Sequence, residues 1–291
     1  MAVIIVSSTT DPASTTIKTC LLNNGSWNEI DTFDSTVVYK HSFLQDVYLI
    51  TIHDSKIRHE HIDREIKKKL GIKPKQIIFI SRHRSTAGQP SLTVHPIGNY
   101  GKAEFGGSDN TLVPCSPQMM TYLLRLINNN LQQTTLQYQV CFEVTHHGPF
   151  VETPTLFVEV GSTEKQWNDS KPAEIIAQSV LSMLKQYRYE EDFSTPIPIL
   201  VGVGGGHYAP RFTDVIFKKN AAFGHMIPKY QIDAGTIDLN SFKNALQATP
   251  KASGIYIHKK SFKKSEVTRY KKLFKTQGIS VFSSKDLPDR S

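Results

Sequence analysis

Long apolar runs are missing from this 291-residue chain. No stretch approaches the roughly 20 apolar residues of a membrane-spanning helix, so no membrane is expected. The opening Met1-Ala2-Val3-Ile4-Ile5-Val6 is too short for a signal peptide, lacks a basic leader and reads as a first strand. Cysteine is scarce. Cys20, Cys115 and Cys141 are odd in number, far apart and without a Cys-x-x-Cys pair, which argues against a disulfide framework and a cysteine-held structural zinc. The expectation is a cytoplasmic monomer. No Gly-Lys-Ser or Gly-Lys-Thr triplet is present for a nucleotide-binding P-loop. Neither a His-Glu-x-x-His metalloprotease helix nor a Gly-x-Ser-x-Gly nucleophile elbow occurs. Acidic residues are outnumbered, 26 against 34 Lys and Arg, and the net charge of +8 favours a polyanionic partner.

What is present is histidine, 11 residues of it, distributed unevenly. Two turns dominate, each at the end of an apolar strand: Thr145-His146-His147-Gly148-Pro149 and Gly202-Val203-Gly204-Gly205-Gly206-His207-Tyr208-Ala209-Pro210. Side chains of neighbouring strand residues point to opposite faces, so His146 and His147 serve one centre only where the chain has begun to bend. Gly148 and Pro149 provide for that bend. The second turn has the spacing of a dinucleotide fingerprint, but His207 replaces its third glycine and Pro210 interrupts the expected helix start. Its glycines permit a close backbone approach, such as a nest of amides for a phosphate or an oxyanion.

Around these turns the pattern is α/β: a mixed, partly parallel central sheet with flanking helices, in one unit or two closely packed subdomains. Strands are expected at Ala2–Ser7, Val47–Ile52 and Gln76–Ser81, with a helix at His59–Leu70 closed by Gly71. Residues 81–107 read as a long loop holding one short strand at Leu92–His95. Helix Pro117–Leu131, strands Gln137–Val144 and Thr155–Val160, helix Pro172–Tyr187 and strand Ile197–Val203 follow. Helix Leu239–Ala248, strand Gly254–His258 and helix Lys264–Gln277 complete the chain. The best boundary separates 1–105 from 106–291, the latter carrying the main histidine turns. Lysines at 263, 264, 271 and 272, interleaved with Phe262, Tyr270 and Phe274, make either an RNA grip or a solvated helix face.

His83, His95, His146, His147, His207 and His225 all lie in or beside turns after expected strands, where α/β sheets build ligand crevices. Zinc accepts imidazole and carboxylate. Candidate ligands are His83, His146, His147, His207 and His225, with Glu143, Glu152, Glu159 and Asp214 as nearby carboxylates. His59 and His61, two apart on a helix, cannot meet one ion.

The motifs Ser81-Arg82-His83-Arg84-Ser85, Thr145-His146-His147-Gly148-Pro149, Glu159-Val160-Gly161-Ser162 with Trp167, Gly204-Gly205-Gly206-His207-Tyr208-Ala209-Pro210-Arg211 and Phe223-Gly224-His225-Met226 occur in this order. Together they resemble the D-aminoacyl-tRNA deacylases of the archaeal and plant type, from about Ile4 to Tyr256. The resemblance implies hydrolysis of the ester joining a D-amino acid to tRNA, with zinc as cofactor. His146, His147 and His207 become the expected catalytic groups, as base or ligand, and His83, His146, His147, Glu159, His207 and His225 the expected metal set. Arg82, Arg84, Arg211 and Lys229 are expected at the substrate's terminal phosphates, and Gly204, Gly205, Gly206 and Tyr208 at its reacting end. The same turns suit a zinc-dependent peptidase or amidohydrolase, or a tRNA-binding module without catalysis.

Overall fold

Strand β1 (Ala2–Ser8) is buried almost throughout, because Val3, Ile4, Ile5 and Val6 offer apolar side chains to both faces of a sheet. The computed structural model describes residues 2–186 and 197–290. In chain order β1 is followed by α1 (Pro12–Asn24), β2 (Trp27–Phe33), β3 (Thr36–His41), β4 (Val47–Ile52), α2 (Ile62–Leu70), β5 (Pro74–Arg84) and β6 (Ser91–His95). Then come α3 (Pro117–Gln132), β7 (Gln139–Phe142), β8 (Thr155–Ser162), α4 (Glu164–Trp167), α5 (Ser170–Gln186), β9 (Ile199–Val203) and α6 (Pro210–Lys218). The chain ends with β10 (Ala222–Ile227), α7 (Lys229–Asp233), α8 (Leu239–Gln247), β11 (Gly254–Ile257), α9 (Lys264–Thr276) and β12 (Val281–Phe282).

The expected mixed α/β architecture is present as two sheets. The larger has the order β2-β3-β4-β1-β5-β8-β6-β7, parallel from β4 through β8 and reversed at β6. The smaller, β10-β9-β11-β12, is all parallel. Strands on both sides of the expected 105/106 boundary belong to the larger sheet: β6 before it, β7 and β8 after it. The α3 stripe of Met120, Leu123, Leu124 and Ile127 joins a core cluster that also contains Leu200, Phe212, Phe223 and Met226, so the two sheets share one apolar interior.

Several local expectations need correction. Residues 81–84 are strand rather than loop, paired with Glu159 to Ser162 of β8. The His59–Leu70 helix starts later, at Ile62, because His61 stands in the left-handed region. Pro210 does not interrupt a helix. It opens α6 as its first residue, where the missing N–H costs nothing. Helix α5 covers the expected span up to Gln186, and Tyr187 lies outside the described residues. The C-terminal aromatics are packing groups: Tyr270 and Phe274 are buried against Phe242, leaving the lysines of α9 on the solvent side.

Candidate active site

The pocket forms where the carboxyl ends of β5 and β8 meet the two histidine turns. Strand β5 delivers His83 and β8 delivers Glu159, side by side because Ser81 pairs Glu159 and His83 pairs Gly161. Antiparallel β6 sets Thr93 against Glu159 and His95 against Phe157, so His95 arrives from the neighbouring strand on the same face. Glu143, just past β7, is fully buried. His147 takes a left-handed φ of 45°, and this residue, immediately before Gly148, supplies the bend that lets successive histidines face one cavity. Ring centroids of His146 and His147 lie 4.4 Å apart, those of His95 and His146 4.2 Å, and those of His146 and His207 4.6 Å.

Glu143 is the hub. Its Oε2 accepts from His207 Nε2 at 2.9 Å and lies 3.5 Å from His146 Nε2; its Oε1 lies 3.0 Å from His83 Nδ1. Glu159 Oε2 stands 3.5 Å from the same His83 nitrogen, and its Oε1 3.8 Å from His95 Nε2. Burial alone would deprotonate His83, yet the two carboxylates outweigh it and raise His83 to about 11. The imidazolium then donates its Nε2–H to Tyr208 Oη at 2.9 Å. Burial opposes ionisation of Glu143 and Glu159 as well, and their histidine partners overcome it, holding both carboxyls below the usual range.

The remaining histidines are held in one tautomer. His146 Nδ1–H donates to Val144 O at 2.8 Å, His147 Nδ1–H to Gly148 O at 2.6 Å and His95 Nδ1–H to Pro96 O at 3.2 Å. His146 and His147 therefore turn an unprotonated Nε2 inward, the arrangement found in metal-binding histidines, while burial opposes and Glu159 favours a proton on His95 Nε2, raising that ring's pKa. Burial, then the neighbouring imidazoles, keeps His146 well below the ordinary imidazole value and brings His147 down to about 4. Ligand atoms within 4.8 Å of one another form three groups: His95 with His146 and His147, His83 with Glu143 and His207, and His95 with Glu143 and Glu159. His95 Nε2 is buried without a hydrogen-bond partner, and Glu143 Oε1 has only its ion pair with His83. Three imidazoles turned inward beside two buried carboxylates are a donor set that fits zinc.

Other expected residues lie elsewhere. His225 is sealed behind the pocket, its Nδ1 to Thr145 Oγ1 at 3.0 Å and its Nε2 to Val113 O at 2.9 Å, and burial lowers it to about 4. Gly204 N donates to Ile227 O and Gly205 N to Ser261 Oγ, so these amides are already engaged. Gly204, at φ +100°, packs so tightly that a Cβ would stand 2.4 Å from Ser261 Oγ. Its role is packing. Only Gly206 of the three is exposed. Arg211 is committed to Tyr256 Oη and Ser284 Oγ, and Lys229 to Asp233 and Glu266. Arg82 and Arg84 do line the cavity, the Arg82 guanidinium lying over Trp167.

Asp11 and Lys56 had no place in the expected site, yet both line it. Asp11 caps α1 through Ser14 N, accepts Arg82 N at 3.0 Å and pairs with Lys56 Nζ at 2.5 Å. Burial keeps the Lys56 ammonium below its usual value despite that partner. Asp11-Pro12 is a helix-start signature that points to α1, whereas nothing local marks a buried Lys56. Asp214 and Glu152 are not part of the cavity, Glu152 pairing with Arg64 on the surface.

A family model described as D-aminoacyl-tRNA deacylase matches residues 70–282. The D-aminoacyl-tRNA deacylase of Pyrococcus furiosus is 38% identical over 229 residues, covering 78% of this chain and 80% of that protein. That of Methanosarcina barkeri is 33% identical over 292 residues, covering 98% and 90%. Among solved structures, a conserved protein of unknown function, AF0625, superposes with a TM-score of 0.87 at 30% identity, covering 100% of this chain and 98% of that one. With a family model spanning most of its length and relatives this similar along nearly all of it, the chain belongs to the D-aminoacyl-tRNA deacylase family of enzymes.

Proposed function

We propose that the histidine pocket hydrolyses the ester between a D-amino acid and the 3′ end of tRNA, with zinc as its resident metal and the protein acting as a cytoplasmic monomer. The observation that carries the zinc reading is the trio of inward Nε2 atoms, that of His95 buried without a hydrogen-bond partner, beside two buried carboxylates. His95, His146 and His147 would hold the ion. When bound, zinc supplies a Lewis acid and lowers the pKa of a coordinated water.

The chain's own residues do the remaining work. Glu143 fixes the ring of His207, which is partly exposed and so reaches the cavity as a proton carrier. The His83 imidazolium keeps the Tyr208 hydroxyl turned toward the site. Arg82 and Arg84, at the cavity rim, suit the terminal phosphates, and Lys56 with Asp11 closes the floor. Incubation with matched D- and L-aminoacyl-tRNA tests the reading: release of the D-amino acid should be much faster, should stop on chelation and should return with zinc. Equal rates for both enantiomers would overturn the assignment, and full activity in metal-free protein would remove zinc from it.

A further inference from the structure

Among the described residues a second cavity is larger than the histidine pocket. A groove of about 980 Å3 lies at the opposite ends of the same two strands, where β5 begins at Pro74 and the chain enters β8 through Thr153 and Pro154. Its opposite wall is the start of α3. Arg64, Lys67 and Lys68 lie three and four residues apart on α2 and share one helix face. After the Gly71 turn, Lys73 and Lys75 follow two residues apart in extended chain, and Lys251 adds a sixth cation from the turn before β11.

The groove gathers unpaired lysines in one cavity. Several lysines elsewhere are matched, Lys69 to Asp34 and Glu65, Lys219 to Asp289 and Lys229 to Asp233, whereas those of α9 are unpaired among the described residues but stand on an open helix face. Among the described residues Lys67, Lys68, Lys73, Lys75 and Lys251 make no ion pair. The two carboxylates of the groove do not neutralise them, since Asp63 accepts the amides of Glu152 and Thr153, and Glu152 is held by Arg64. Five uncompensated ammonium groups along one trough repel one another unless an anion lies between them.

We infer that this groove binds the phosphodiester backbone of the tRNA substrate at a point remote from its aminoacyl end. The inference rests on the family's tRNA substrate. Gln76 in the groove and His83 in the pocket are seven residues apart on β5, or roughly 23 Å at about 3.3 Å per residue. An aminoacyl end held among the histidines does not fill the groove, and phosphates further along the same RNA come within its reach. The cations come from three segments around one groove, and so many of them suit a backbone of successive charges better than a single phosphate group. Such contacts carry affinity without base specificity.

The test neutralises the cluster in the full chain with Lys67→Gln, Lys68→Gln, Lys73→Gln and Lys75→Gln together. Binding of uncharged tRNA, which needs no hydrolysis, is measured against salt by filter retention. Single-turnover release is measured on full-length D-aminoacyl-tRNA and on a D-aminoacyl ester of the CCA trinucleotide, too short to reach the groove. The expected result is at least tenfold weaker tRNA binding and a salt slope flatter by about three, at 0.7 to 0.9 per lost phosphate contact. The half-saturating concentration should rise only for full-length substrate, with the saturating rate unchanged. An unaltered slope overturns the inference, as does equal loss on the trinucleotide ester. It is also overturned if Lys263→Gln, Lys264→Gln, Lys271→Gln and Lys272→Gln, in α9, flatten the slope instead, or if AMP occupies the groove while tRNA binding ignores the variant. Were wild-type protein to bind tRNA through this groove yet release no D-amino acid, the deacylase reading would fail and the groove would stand.

Discussion

The two sheets treat their buried polar groups in opposite ways. On the larger sheet Ser91 Oγ, Thr93 Oγ1 and His95 Nε2 are buried without hydrogen-bond partners. On the smaller sheet His225 is just as buried, yet both ring nitrogens are engaged, and among the described residues the unpaired group packed against its strands is Tyr100 Oη, which comes from outside the sheet. Unmet polar groups in an interior are costly, so a cluster of them on one wall marks where a ligand is owed, while the completed wall is scaffold. The larger sheet thus contributes reactive groups, and the smaller one positions the turn that bears His207 and Tyr208.

Breaking the hub should have the largest effect. Glu143→Ala leaves His83 without one of its two carboxylates and His207 without its anchor. Hydrolysis of D-aminoacyl-tRNA should fall by about 1000-fold in single turnover, and urea denaturation should reveal a stability loss of about 3 to 5 kcal/mol. Near-normal turnover would mean the carboxylate is only structural. A pair of histidine variants then sharpens the contrast between walls. His207→Ala, at a partly exposed ring, should lower the rate about 100-fold while tRNA binding and urea midpoint stay close to wild type. His225→Ala should instead cost about 1 to 3 kcal/mol through the unpaired Thr145 and Val113 groups, with the rate per folded molecule retained. If the second loses chemistry as the first does, the division between walls is wrong.

The smallest effect belongs to a histidine outside both walls. His59 lies between Asp54 and Glu65, which raise its pKa against the opposing pull of burial. A raised folded pKa contributes stability that is complete below the unfolded value near 6.5 and vanishes as pH rises through the folded value. Replacing His59 with Gln should therefore lower the urea midpoint at pH 5.5 and leave it nearly unchanged at pH 9.5, by under about 1 kcal/mol. The same difference at both pH values would show that packing, not charge, holds the ring.

The parts of this architecture legible in the sequence are those with a local cause. Apolar runs announced β1, β4 and β5, and the stripes of α3 and α5 announced their core faces. The hairpin β2–β3 escaped because Asn28 to Thr32 are all exposed and give no alternation, and its turn uses Asp34 and Ser35 at positive φ in place of glycine. Strand β10 was hidden by Gly224 and His225 in mid-run. The histidine turns stood out, but the hub did not: Glu143 looked like one of four nearby carboxylates. Its central place depends on partners 60 and 64 residues away, His83 and His207, whose approach no local pattern records.

The second turn is stitched to the first by main-chain hydrogen bonds, Val144 N to His207 O at 3.0 Å and Ala209 N to Phe142 O at 2.9 Å. Because this seam joins elements encoded far apart, the pocket is among the last parts of the molecule to exist. A chain still emerging from the ribosome, with β9 and the turn after it unfinished, has a folded-looking first sheet and no enclosed reaction chamber. Contacts of such sequence separation close late. A chain cut before β9 therefore lacks His207 and Tyr208 and cannot complete the pocket.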